Sequence, residues 1–327
     1  MAPFRIVLAA GAAIVTVLAL LGMFPAAMAA AAVLVPSVMV LYLLDVDLYE
    51  DEPLVTVVAT MLWGAIAGVG LGFVAKEMAP SGVELLLSSG PSRVLTLGVV
   101  LPLAGLVLAL VGPLVLLRHP KFNDVLDGVT FGAASAVCLA GAQAIVQGSD
   151  LFAEGLRPVG AVGPWVFRTF SQGVLIPVLW ACAVGAVGAA LWLRYRAPVR
   201  DRTALGALGK PALAALAGGA LLVAASVLVL ELEPAWTFVS LLPLDLIGVV
   251  LLRRAIHLGL LEESLEIPIG PEVTCPNCGH PTPRHTFCIA CGIALAAMPK
   301  RPARRERPEP DPGPGAEHGI EPTGEGA

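Results

Sequence analysis

The sequence predicts an all-α polytopic membrane protein of about eight transmembrane helices, with a small zinc-ribbon module and a disordered tail at its C-terminal end. Three observations predict it. Of the 327 residues, 57% are hydrophobic and 14% charged, more apolar surface than a soluble domain can hide. Mean hydropathy is +0.84, and long apolar runs follow one another from residue 5 to residue 256. Two Cys-x-x-Cys pairs then stand in the short stretch TCPNCGHPTPRHTFCIACGIAL.

The apolar runs cover 5–24, 26–44, 54–75, 94–117, 125–147, 170–193, 211–231 and 236–256. Each is close to the ~20 residues that cross a bilayer core. Helix is required, because lipid offers no partner to backbone N–H and C=O groups. GAIAGVGLG at 64–72 and GAVGAALW at 185–192 predict faces that pack on other helices, since small residues let backbones approach. Arg5 and the run ending in FPAAMAAAA also resemble a cleavable signal peptide, but a second apolar run follows at once.

Lysine and arginine set the expected orientation. With a cytoplasmic N-terminus, the inner segments hold Arg5, Arg118, Lys121, Arg194, Arg196, Arg200, Arg202, Lys210, Arg253 and Arg254. The outer loops hold Lys76, Arg93, Arg157 and Arg168. The positive-inside rule therefore predicts a multi-pass cell-membrane protein with both termini in the cytoplasm. The organisation expected is a bundle over 1–257, a linker over 258–273, a ribbon over 274–296 and a disordered tail rich in Pro, Gly and charge over 297–327. The cluster from Lys300 to Arg307 reads as part of that solvated tail.

Cys275, Cys278, Cys288 and Cys291 offer four soft ligands, the set a tetrahedral structural zinc requires. A reducing compartment favours metal thiolates over disulfides. Gly279 and Gly292 follow the second cysteine of each pair, where a tight turn needs positive φ. His280 and His285 lie nearby, but four thiolates already close the shell, and a closed shell is structural. Cys138 and Cys182 lie inside apolar runs and read as small buried hydrophobes.

Ionisable residues at depth are few. The spans 54–75 and 94–117 have none, 125–147 has Asp127 near its start and Gln143 deeper, and 170–193 offers Gln172. Asp245, in PLDLIG, is the acid nearest mid-membrane. It is expected to face the bundle interior, either as a proton or ion relay or as a neutral acid bonded to a helix backbone. Asp45, Asp47, Glu50, Asp51 and Glu52 form an acidic loop whose spacing matches no regular cation loop.

LYEDEPLVTVVATMLWGA (48–65) resembles the signature that opens PrsW-type intramembrane proteases. Tyr49, Glu50, Glu52, Pro53, Trp63, Gly64 and Ala65 match, and Asp51 replaces a usual proline. HPKFNDVLDGVTFGAA (119–134) is similar to that family's Asp-Gly segment through Phe122, Asp124, Asp127, Gly128 and Gly132. The resemblance covers roughly residues 40–190 and implies an intramembrane protease scaffold. The catalytic motif Glu-Glu-x-x-Lys that it implies falls on Gly105, Leu106, Val107, Leu108 and Ala109. A second glutamate falls on Gln143 and a histidine near Pro177, with Gly185 in the following glycine position. Glutamine keeps the shape of glutamate but accepts no proton at neutral pH.

No catalytic residue is therefore expected. The predicted function is that of a pseudoprotease acting as a membrane scaffold or binding protein. Its bundle would take a membrane protein or lipid, its ribbon a cytosolic protein, and nucleic acid is not an expected partner. Two alternatives stand beside it. One is an active intramembrane protease built on Asp245, Asp127 and Asp124, disfavoured because no paired carboxylates or histidine lie at depth. The other is a small transporter or lipid-handling protein dependent on Asp245, disfavoured by the scarcity of polar lining.

Overall fold

Apolar runs bounded by Gly, Pro and charge become helices. A computed structural model of the chain describes residues 3–46, 54–78, 91–119, 121–122, 124–150, 162–196, 209–266, 273–282, 287–288 and 290–293. It divides into Met1–Glu266 and Ile267–Ala327. The described residues of the first unit form eight helices: α1 (Pro3–Leu20), α2 (Phe24–Val46), α3 (Leu54–Met78), α4 (91–116), α5 (Val125–Gln147), α6 (Val162–Tyr195), α7 (Pro211–Glu231) and α8 (Pro234–Glu266). Seven are long and apolar enough to cross a membrane, and Phe4–Leu20 in α1 is a shorter apolar helix. The acidic loop beyond Val46, the matches from Tyr49 to Pro53 and the tail from 297 onward lie outside the described residues.

Three boundaries differ from the sequence expectation. α1 ends at Leu20, where Gly22, at φ 74°, lets Met23 N–H reach the carbonyl of Leu18 and Gly22 N–H that of Ala19. α6 starts at Val162, not near 170. Gly163, Pro164 and Arg168 suggest a loop, yet proline in a first turn removes an N–H with no helical partner anyway. Arg168 lays its guanidinium over Trp165. α8 runs on to Glu266, into the segment read as helix end and linker.

Glycine decides how the helices pack. In α3, a Cβ on Gly64 would collide with the carbonyl of Ser135, and one on Gly68 with the carbonyl of Leu139. The two contacts share one sequence separation, so α3 and α5 run parallel. On its other face α5 meets α6, where Gly128 and Gly188 press on each other's carbonyls and Gly132 on that of Val184. These contacts run antiparallel. Gly141 of α5 meets Ala32 of α2 in the same way. Thus α5 is held on three sides at backbone distance. α4 packs antiparallel to α3, with Gly112 against Trp63, whose indole N–H donates to the carbonyl of Leu108 at 2.8 Å.

In two helices a proline is preceded by a π-turn. α4 contains a π-turn at Thr96–Val100 before Pro102, and α6 one at Ser171–Leu175 before Pro177. Proline lacks the N–H that the carbonyl four residues back would accept. In both helices the residue before it donates instead to the carbonyl five back: Leu101 to Thr96 and Ile176 to Ser171. Both segments read Arg-x-x-(Thr/Ser)-x-Gly-Val-x-x-Pro, from Arg93 and from Arg168. Gly105 and Trp180, each three residues past its proline, touch. α3–α4 and α5–α6 are therefore parallel hairpins whose equivalent positions meet.

α6 and α8 also run side by side and parallel, through Phe167–Phe238, Cys182–Gly248 and Gly185–Leu252. Arg118, Arg194, Arg196, Arg253 and Arg254 accordingly fall at one end of the bundle. There Arg196 closes a free helix-end carbonyl, donating from Nε to Leu117 at 2.6 Å. At the opposite end Lys76 pairs with Asp150 at 2.6 Å and donates to Ser149 at 2.9 Å. Gly68→Ala is expected to destabilise the bundle by about 1–3 kcal/mol through overpacking on the Leu139 carbonyl. Gly70→Ala, which meets nothing within 4 Å, leaves stability unchanged or slightly raised. Denaturant midpoints of both variants in micelles check this, and equal midpoints would refute the close-approach reading.

Candidate metal centre and the buried acids

In the second unit the chain folds into two like-shaped knuckles. β1 (Val273–Thr274) pairs antiparallel with β2 (Pro281–Thr282), in the register Val273 to Thr282 and Thr274 to Pro281. Cys275 N–H donates to the carbonyl of His280 at 2.9 Å, and Gly279 N–H to that of Cys275 at 2.9 Å. The second knuckle repeats this: Cys288 N–H to Ile293 and Gly292 N–H to Cys288, both at 2.8 Å. Gly279 and Gly292 have φ of 72° and 71°, where a side chain would be strained.

These turns converge four sulfurs. The Sγ atoms of Cys275, Cys278, Cys288 and Cys291 lie within 4.8 Å of one another, with Cys275–Cys291 and Cys278–Cys288 at 3.7 Å. A tetrahedron with metal–sulfur bonds of about 2.3 Å has edges of about 3.8 Å, so the cluster fits a thiolate-bound metal. All four are free cysteines, too far apart for a disulfide. The His280 side chain is outside the cluster, and His285 lies outside the described residues.

Electrostatics fit the same reading. Backbone N–H groups of Cys291 and Ala290 hold the Cys288 thiol down, to about 6. The amide of Ile293 and the side chain of Asn277, 3.7 Å from the Cys291 sulfur, lower Cys291. The amide of His280 favours the Cys278 thiolate too, but desolvation and the three neighbouring sulfurs push that thiol up to about 12. Thiolates this close cannot all ionise unless a cation neutralises them. Asn277 was not singled out from the sequence; an amide two residues after a cluster cysteine was its signal.

The acids of the bundle separate into two kinds. Asp127 is buried at the third position of α5 and makes a reciprocal capping box with Asp124, the Asp124 N–H donating to its Oδ2 at 3.1 Å. Its visible work is to satisfy helix-end donors. The Asp-x-x-Asp spacing before an apolar run was the signal. Asp245 differs. It lies on the inward stripe Thr237, Leu241, Asp245, Gly248 and Ala255, is 8% exposed, and neither carboxylate oxygen has a hydrogen-bond partner among the described residues. The helix-backbone bond considered for it is not made. Cys182 lies within its electrostatic range.

The positions of the implied protease motif are filled with hydrocarbon. Leu106 and Ala109 are buried with Leu139, Trp180, Ala183, Val184 and Leu222. A Cβ on Gly105 would strike the Trp180 ring. Gln143 is half-buried on α5. A cavity lined by Pro25, Met28, Gln172 and Gly173 holds about 10 Å³, room for about one water.

Fold and site together define a multi-pass helical membrane protein with a C-terminal four-cysteine cluster able to bind a metal ion. No protein-family model, curated protein or solved structure matches the chain.

Elemental analysis of the purified chain should find one bound metal ion for the one cluster. Replacing Cys275 and Cys278 with serine removes it, and acid releases it as protons compete for the thiolates. A metal content unaffected by those substitutions would place the ion elsewhere. Asp127→Ala is expected to cost about 1 kcal/mol of stability, the value of a lost cap, read from unfolding midpoints. A cost near zero would remove the capping role.

Proposed function

We propose that the chain is a catalytically inactive PrsW-like pseudoprotease serving as a membrane scaffold, with a zinc ribbon that recruits a cytosolic protein. The observation that carries this is the packing at Gly105: where the resemblance implies glutamates and a lysine, Trp180 and aliphatic side chains close the interior. A carboxylate there would have neither room nor a water path. Asp124 and Asp127 are held in a helix cap, and Asp245 has no second acid beside it, so acid–base hydrolysis lacks a pair of groups.

Zinc is the ion best suited to the cluster, because four thiolates in a closed tetrahedron leave no open position for chemistry and match its preferred ligands. Arginines gathered at one end of the bundle support a cytoplasmic location for that end. A rigid metal core lets so small a module present a fixed surface to a partner.

The test is affinity capture of the full chain from its own membranes, beside a variant with Cys275 and Cys278 changed to serine. A reproducible cytosolic partner lost with the zinc is expected, together with no cleavage of any captured membrane protein. Partners retained without zinc would sink the recruiting role, and a cleaved membrane substrate would sink the pseudoprotease.

A further inference from the structure

The inward stripe of α8 carries one ionisable side chain. Thr237, Leu241, Asp245, Gly248 and Ala255 recur at helical spacing, and Asp245 is the one acid among them. The neighbours on α6 are Leu179 and Cys182: a Cβ on Gly248, almost one turn beyond Asp245, would lie 3.1 Å from the Cβ of Cys182 and 3.3 Å from Leu179. Leu179, Leu241, Leu221 and Ala225 close one dry cluster at this level.

A carboxylate in such a seam has no charge partner among the described residues. On α6, Cys182 is the titratable group facing it, and Arg168 stands a level away over Trp165. α7 contributes no ionisable side chain between Pro211 and Leu230, and α5 contributes Cys138 and the capped Asp127. On α8 itself Arg253, Arg254 and His257 lie more than two turns farther on. An unpaired ionised acid is not sustained at this burial, whereas the neutral acid is. The seam also has the means to give: Pro177 and Pro243 each remove a rung from the helices that form it.

We propose that Asp245 is a proton-binding site that latches α6 to α8. The seam is closed on the carboxylic acid. When the O–H bond breaks, the proton passes to water entering between the helices, the electron pair stays on the carboxylate, and the seam opens to hydrate it. The ligand is a proton, because the closed seam offers a carboxyl group, the Cys182 thiol and hydrocarbon, and its described residues lack the further oxygen donors that a hard metal cation requires. This inference is independent of the scaffold reading and of the zinc site.

Hydrogen–deuterium exchange of the full chain in nanodiscs of zwitterionic lipid, from pH 5 to 9, tests it. After correction for intrinsic chemical exchange, peptides spanning 238–252 should open at least tenfold more at high pH, along a one-proton curve. Asp245→Asn and Asp245→Leu should both stay closed and flat with pH, while peptides from α3 remain protected and report an intact fold. A flat wild-type profile overturns the proposal without reference to any variant. So does a pH response that survives in Asp245→Asn. A midpoint that moves when sodium replaces choline at constant ionic strength also overturns it, in favour of a metal-cation site.

Discussion

Backbone contact through glycine is the constraint on which the bundle depends. Inside a bilayer, apolar side chains gain little by leaving lipid for protein, so helices are held by close van der Waals approach. α5 takes this to its limit, with Gly64 and Gly68 of α3 against its carbonyls on one side and Gly188 of α6 on another. The consequence is chemical as well as mechanical. A helix held at backbone distance on several faces has little surface left for functional side chains, and α5 is buried over most of its length from Val125 to Gly141. Gln143 and Gln147, the amides of its deeper half, lie past that tight region.

The paired hairpins explain the rest of the interior. Parallel helices with equivalent sequences bring equivalent residues face to face, and two large side chains cannot share such a point. At Gly105 and Trp180 the conflict is resolved by one small and one large residue. That solution puts an indole in the centre of the bundle and leaves no space for a larger side chain at position 105. The π-turns follow from the same duplication, since each repeat carries its proline at the matching place, Pro102 and Pro177.

Much of this was legible in the sequence because lipid leaves few alternatives. Apolar runs of sufficient length had to be helices, so their number and order were readable. The start of α6 was not, because Gly163, Pro164 and Arg168 carry loop signals that an aromatic neighbour and a first-turn position overrule. The four cysteines were readable as one cluster from spacing alone, since two knuckles closed by glycine can converge in few ways. Asp127 also has a structural role, in a helix cap. Its partner Asp124 stood three residues away, and the capping pattern was weaker to the eye than an acid near a membrane. For Asp245, spacing placed it on the inward face, but only packing could show that its oxygens meet neither backbone nor counter-ion.

The second unit obeys a different economy from the bundle. Among its described residues, the buried side chains are Cys275, Cys288 and Thr282, and its strands are two residues long. So small a hydrophobic core cannot offset the entropy of ordering the chain. Four thiols 3.7 to 4.8 Å apart add mutual repulsion if they ionise. A bound cation reverses both terms, turning repelling thiolates into ligands and making binding energy folding energy. The knuckle hydrogen bonds and the positive-φ glycines then describe the folded state that the ion selects. A module built this way would need a bound ion to hold its fold, whereas the bundle is held by glycine contacts that need none.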